Sequence, residues 1–318
     1  MIPSFKPGKR LIEVLSQIPG FVDSVIVVDD ACPESSGAMV QRLCDDNPRL
    51  HVIYNEVNLG VGGATMRGFE LAVANGADIV VKIDADGQMD PSNILNLVSP
   101  LVTGDADFAK GNRLYRTDSF SEIPVSRLIG NAFLTLLTKV SSGYWHLADP
   151  VNGFIGVNTV VLGLIDVQKI DKRFFFETDL LFRLNLAKAV AVDIPMAPIY
   201  RDEASNLSPV QEAFPFLYKN LRNLCKRLFY QYYLRDFSVA SIELPLGLIL
   251  LSFGIFYGLS EWVVAAENGI PASPGTVMLA GLTFLVGLQF LLAFVNADVA
   301  SVPKYPVNKL VSRAIQRE

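Results

Sequence analysis

The sequence predicts an α/β domain built on a mostly parallel sheet, followed by a pair of membrane helices. Three observations predict it. Short β-rich runs alternate with helical segments before residue 210. Two of those runs end in acidic residues, Asp29-Asp30 and Asp84-Ala85-Asp86. Beyond Arg235 no Lys or Arg occurs until Lys304, and that interval holds two long apolar runs.

The β-rich runs are Ser24–Asp30, His51–Tyr54, Asp78–Asp84 and Ala189–Ile194. Near-continuous Val/Ile marks strands buried on both faces, which is the habit of parallel sheets under helices. Helical patterns fill 8–18, 36–46, 62–75, 92–102, 126–140 and 178–188. Met1–Phe5 reads as the last residues of a strand, because a buried first strand normally takes about five residues. Residues ahead of Met1 are therefore expected. The N-terminus has no apolar core behind a basic start, so no secretory signal is read there.

The first apolar run, 244–266, is interrupted only by Glu261, and the second, 276–295, carries no charge. A membrane span needs about 20 predominantly apolar residues, and both qualify. The joint at 267–274 contains Asn268-Gly269 and two prolines, a turn signal. Lys219, Arg222, Lys226, Arg227 and Arg235 precede the hairpin and Lys304, Lys309, Arg313 and Arg317 follow it, which places both ends in the cytoplasm. Residues 214–237 mix aromatic, leucine and basic side chains, as a helix in the headgroup layer does. Gly247, Gly254, Gly258, Gly281 and Gly287 offer close helix approach, and such small-residue faces point to a homo-oligomer. The expected divisions are 1–210, 211–242, 243–298 and 299–318.

Composition narrows the function. The 318 residues are 51% hydrophobic and 19% charged, with a net charge of −5. That excludes a disordered chain and a nucleic-acid binder relying on bulk positive charge. Three scattered cysteines fit reduced thiols.

Asp84-Ala85-Asp86-Gly87-Gln88 is the strongest chemical signal. Residues i and i+2 of an extended segment point the same way, so both carboxylates reach one point. At an open strand end, paired carboxylates suit Mg²⁺ or Mn²⁺ with waters and phosphate oxygens as further ligands. The glycine-rich Asn58–Gly68 opens a helix, yet lacks the P-loop Lys-Ser/Thr and carries Thr65 where a dinucleotide fingerprint has its third glycine. Its glycines are expected to permit close packing beside a nucleotide.

The succession Ile2-Pro3, Val27-Val28-Asp29-Asp30, Asn58-Leu59-Gly60, Asp84–Gln88 and Gly111-Asn112-Arg113 resembles family-2 inverting glycosyltransferases of the GT-A fold. With its hairpin, the chain looks most like polyprenyl-phosphate glycosyltransferases, the relatives of dolichyl-phosphate mannose synthase. The resemblance implies a Rossmann-like GT-A domain, juxtamembrane helices and a two-helix transmembrane hairpin. It implies an integral membrane enzyme moving one sugar from a nucleotide donor, UDP-sugar first and GDP-mannose second, to a polyprenyl phosphate. Under it, Pro3, Phe5, Asp29 and Asp30 hold base and ribose. Asp84 and Asp86 hold metal and diphosphate, beside Gln88. Arg113, Arg127 and Arg201 contact lipid phosphate or diphosphate. Asp149–Gly153 forms an acceptor-side loop, and Glu177 or Asp179 of the acidic motif orients the sugar. Phe5-Lys6-Pro7 replaces the family's usual Tyr-Asn-Glu, and Arg201 stands where relatives often have glycine. Two other readings share this core. A processive polysaccharide synthase usually has more spans and a Q-x-x-R-W motif, neither of which is found here. A non-catalytic membrane scaffold would not need an intact D-x-D.

Overall fold

The computed structural model describes residues 1–45, 47–115, 125–197 and 209–315, with backbone alone at 125–129, 209–212 and 312–315. In chain order the elements are β1 (Ile2–Ser4), α1 (Arg10–Gln17), β2 (Val25–Asp29), α2 (Ser36–Cys44), β3 (Leu50–Tyr54), α3 (Gly60–Ala74), β4 (Ile79–Lys82) and α4 (Ile94–Val102). Then come β5 (Phe108–Asn112), α5 (Val125–Ser142), β6 (Ile155–Asn158), α6 (Thr159–Leu162), α7 (Phe176–Leu186), β7 (Ala191–Pro195) and α8 (Pro209–Phe229). The chain ends in α9 (Val239–Asn268), α10 (Pro274–Ala300) and α11 (Val307–Ile315). It falls into two compact units, 1–225 with 303–318, and 226–302.

In the first unit β1, β2 and β3 pair in parallel, in that order. β4, β6, β5 and β7 form a second ladder, in which β6 runs antiparallel to both neighbours and β5 pairs with β7 in parallel. Met1 joins the two ladders: its nitrogen donates to Val81 O, and Ile83 N donates to Met1 O. The strand order is therefore β3-β2-β1-β4-β6-β5-β7. Every residue of β2 is buried, as its unbroken apolar run requires. α1 turns Leu11 and Val14 inward, and α4 does the same with Ile94, Leu97 and Leu101, at helical spacing. These side chains and Ile2, Val27 and Phe154 belong to one core.

The four strands read from sequence and the β1 remnant are all present. β5 and β6 were not expected. β5 reads Phe-Ala-Lys-Gly-Asn, and the lysine and glycine break its apolar signal although all five residues are buried.

The last helix returns to this unit. Asp107, fully buried, accepts from Val307 N and Asn308 N at 2.9 Å each and from Val190 N at 2.8 Å. One carboxylate thus satisfies first-turn donors of α11 and a strand-edge amide.

In the second unit α9 and α10 lie against each other as a hairpin. Gly269, at φ +65°, ends α9, and Ser273 caps α10 by accepting from Thr276 N at 3.1 Å. Gly247, Gly254, Gly258 and Gly287 face the opposite helix, whereas Gly281 meets nothing within 4 Å. Both helices are long and apolar enough to cross a membrane, and only 22% and 11% of their most apolar windows are buried. Arg227 departs from the headgroup-facing reading. It is buried and grips Asp298 through two bonds of 2.7 and 2.9 Å, while Tyr232 Oη donates to the same carboxylate at 2.7 Å. A buried guanidinium needs such a partner.

Candidate active site

The carboxyl ends of β1 and β4 open on a cleft of about 770 Å³, where ligands of open α/β sheets bind. Pro3, Phe5, Asp30, Lys82, Asp84, Asp86, Arg173, Phe176 and Glu177 are among the residues that line it. The last three come from the start of α7 and the segment before it, held close by glycine. A Cβ at Gly62 would lie 2.4 Å from Asp171 O and 2.5 Å from Phe176 Cβ. The glycine-rich segment therefore permits close packing beside the cleft, as expected.

Asp29 and Asp30 are consecutive in an extended segment and serve different loops. Asp29 Oδ1 accepts from Cys32 N at 2.7 Å, and its Oδ2 from Gly37 N at 2.5 Å and Ser36 Oγ at 3.1 Å. These bonds hold the turn into α2. Asp29 is buried and does not line the cleft. Asp30 does line it, and it anchors the entry to α3 by accepting from Asn55 Nδ2 at 2.7 Å and from Leu59 N and Gly60 N at 2.8 Å each.

Asp84 and Asp86 stand just beyond β4. Gly87, at φ +70°, turns the chain, and Gln88 N donates to Asp86 Oδ1 at 2.9 Å. Burial pushes the Asp86 carboxyl above its ordinary value, with Asp84 adding to the rise and the Gln88 amide opposing it. Asp84 Oδ1 pairs with Lys82 Nζ at 2.6 Å. The two carboxylates are hard donors. Among the described residues no group of three His, Cys, Asp or Glu side chains forms a cage. A Cβ at Gly153 would lie 2.6 Å from Asp84 Oδ2, so the backbone leaves room at that oxygen. The set fits Mg²⁺ or Mn²⁺ completed by waters and phosphate, the way Mg²⁺ is usually held.

The acidic motif divides. Glu177 lines the cleft, and burial raises its carboxyl, with Lys110 and Lys82 pulling the other way. Asp179 does not line it. It is buried and accepts from Asp171 N at 3.0 Å, Asn223 Nδ2 at 2.9 Å and Arg183 at 3.3 Å. Positions two apart at a helix start point about 200° apart, so one carboxyl faces the cleft and the other the interior.

Arg113, at the end of β5, forms a two-pronged pair with Asp149 at 2.8 and 3.1 Å. Burial alone would raise Asp149, yet the Arg113 bonds hold it below the usual carboxylate range. Arg127 lies in the first turn of α5, where its side chain is outside the described residues, as is the whole of Arg201. Sequence reasoning missed Lys82 and Lys110, the buried cations beneath the cleft. Lys110 donates to the Asn152 carbonyl, and burial lowers its ammonium to about 8 against the pull of Glu177 and Asp149.

Residues 8–163 match the family model described as Glycosyl transferase family 2. The chain is 26% identical over 215 residues to the UDP-N-acetylglucosamine–dolichyl-phosphate N-acetylglucosaminyltransferase of Methanococcus voltae, covering 64% of this chain and 85% of that one. It is 27% identical over 205 residues to the undecaprenyl-phosphate mannosyltransferase of Micrococcus luteus, covering 64% and 83%. To the polyprenol monophosphomannose synthase of Mycolicibacterium smegmatis it is 26% identical over 200 residues, covering 62% and 75%. Among solved structures, glucosyl-3-phosphoglycerate synthase from Mycobacterium tuberculosis in complex with phosphoglyceric acid superposes with a TM-score of 0.51 at 21% identity, over 71% of this chain and 78% of that one, which shows the shared fold. The strand order, the carboxylates beyond β4 and these similarities together mark the chain as a GT2-family, polyprenyl-phosphate glycosyltransferase-like protein with a GT-A-like domain.

Proposed function

We propose that the protein transfers a single sugar from a nucleotide-sugar donor to a polyprenyl phosphate at the cytoplasmic face of a membrane, inverting the anomeric carbon and using Mg²⁺ or Mn²⁺. The observation that carries this reading is the cleft itself, which Asp84 and Asp86 line together with Pro3, Phe5 and Glu177. The names of the three relatives support the acceptor class, since each specifies a polyprenol-type phosphate. The UDP-N-acetylglucosamine in the Methanococcus name supports a UDP-sugar as first choice, and the mannose in the other two names supports a mannose donor as second.

In this reading Pro3, Phe5 and Asp30 bracket base and ribose, and Asp29 shapes the turn beside them. Asp84 and Asp86 would hold the metal, with Gln88 beside them on the nucleotide side, and the metal would offset the negative charge building on the departing diphosphate. Arg113, aimed by Asp149, holds phosphate oxygens together with Arg127 and Arg201. A lipid phosphate is already an anion. Its oxygen attacks the anomeric carbon while the bond to the diphosphate breaks on the opposite side, so no strong base is required and the configuration inverts. Glu177 orients the sugar hydroxyls. Asp179 acts from inside, by fixing Asp171 and Arg183 around the start of α7. The two apolar helices anchor the enzyme as a homo-oligomer with the catalytic unit in the cytoplasm.

A melting screen of nucleotide sugars on the detergent-solubilised protein tests the donor site. One nucleotide sugar with Mg²⁺ or Mn²⁺ is expected to raise the melting temperature, and Asp84→Asn to remove that gain. No stabilisation by any common nucleotide sugar would contradict the reading.

A further inference from the structure

Lys82 closes β4 two residues before Asp84, on the same face of the extended chain. Its side chain is only 1% exposed. The ammonium lies 2.6 Å from Asp84 Oδ1, donates to Gly153 O at 3.2 Å and sits 5.3 Å from the centre of the Phe176 ring. A buried ammonium must recover its lost hydration from partners, and here a carboxylate, a carbonyl and an aromatic face supply it. Gly153 makes the arrangement possible. A methyl group there would fall 2.6 Å from both Lys82 Nζ and Asp84 Oδ2. Lys82 and Asp84 thus meet where Gly153 of the neighbouring loop presents backbone only.

The pairing has a cost for any second cation. A divalent ion at Asp84 shares its carboxylate with an ammonium already in contact and repelled by it at short range in a partly dry cleft. A nucleoside diphosphate brings negative charge of its own and reverses the balance. Resting on the reading of Asp84 and Asp86 as metal ligands, we infer that Lys82 is the resident counter-cation of this site. It is a positioning residue that fixes the Asp84 carboxylate and keeps the site weak for bare metal until a diphosphate arrives. Metal and donor then bind together, and the empty enzyme does not hold a dication that would order water in the sugar site.

The test is a titration of Mn²⁺ alone, followed by electron paramagnetic resonance of the free ion, on the full-length protein in detergent. Lys82→Met is expected to bind bare Mn²⁺ at least tenfold more tightly than the wild type while sugar transfer falls. Lys82→Arg, which keeps the charge, should restore weak bare-metal binding. Loss of folding cannot produce this gain, and Lys82→Gln, which keeps a donor for Gly153 O, is read in the same way if Lys82→Met does not fold. Bare Mn²⁺ affinity equal to or below that of the wild type in a folded neutral variant would overturn the inference. Adding Asp84→Asn to Lys82→Met separates the role of Lys82 from that of Asp84 as a ligand. Loss of the gain in the double variant places the ion at Asp84, whereas persistence of the gain would overturn both the inference and the assignment of Asp84 as a ligand.

Discussion

At the scale of single residues, the two carboxyls of the acidic motif have opposite duties, and substitution should separate them. Glu177→Gln is expected to lower kcat about a hundredfold, the low end of what a positioned acid–base group contributes, with little change in melting temperature. Asp179→Asn should do the reverse. It breaks a buried pair with Arg183 and weakens the contacts to Asp171 N and Asn223, at a cost of about 3 kcal/mol. Calorimetry alongside steady-state kinetics reads both. The same region sets the pH profile. Glu177 and Asp86 are held above their ordinary values by burial, so they stay neutral to a higher pH than free carboxyls. The acid limb of kcat/KM should therefore lie higher than that of a free carboxyl, with the rate rising as pH rises through it. Lys110, lowered to about 8 by burial, should lose its proton above that pH and the rate should fall again. Lys110→Met should remove that alkaline limb. The D-x-D was legible in the sequence because strand periodicity places both carboxylates on one face. The choice between Glu177 and Asp179 was not, because a two-residue spacing on a helix separates their directions without saying which way is inward. Nor were the buried lysines legible. A lysine in a strand normally marks an exposed edge, and only the carbonyls of residues 152 and 153 and the nearby carboxylates make burial tolerable.

At the scale of elements, long runs were the easy part. α3, α4, α7 and the two apolar helices carry clear periodicity or length, and their ends lie within a few residues of the expected bounds, the apolar pair extending somewhat further. β5 and β6 escaped because five- and four-residue strands containing glycine give periodicity too little to work on. Yet those strands bear on the site: β5 carries Lys110 and is followed directly by Arg113, and the loop before β6 carries Asp149 and Gly153. In the hairpin, glycine spacing makes its own prediction. A Cβ at Gly287 would lie 2.4 Å from Leu251 N, and one at Gly254 would lie 2.7 Å from Phe284 N. Backbone cannot yield as a flexible side chain can. Gly287→Leu should force α9 and α10 apart and lower the melting temperature in detergent by several degrees, while Gly281→Leu, with open space around it, should change it little.

At the scale of the whole molecule, the low charge fraction and the mean hydropathy of +0.35 belong mostly to the stretch between Arg235 and Lys304. The first unit by itself is an ordinary acidic α/β domain. Basic flanks on both sides of the hairpin predict that its turn lies across the membrane from the catalytic unit. A membrane-impermeant maleimide applied to intact spheroplasts should label a cysteine placed at Ala272 and leave the exposed native Cys225 unlabelled until the cells are opened. The reverse pattern would invert the topology. The central claim, a metal-assisted transfer of one sugar to a lipid phosphate, is tested most directly by following labelled sugar from a nucleotide donor into polyprenyl phosphate in membranes carrying the protein. The expected product is a lipid with a single sugar of inverted configuration, formed only with Mg²⁺ or Mn²⁺ and reduced at least a hundredfold in Asp84→Asn, on the scale of losing one strong electrostatic stabiliser. A polymer as product, or full activity in Asp84→Asn, would contradict it.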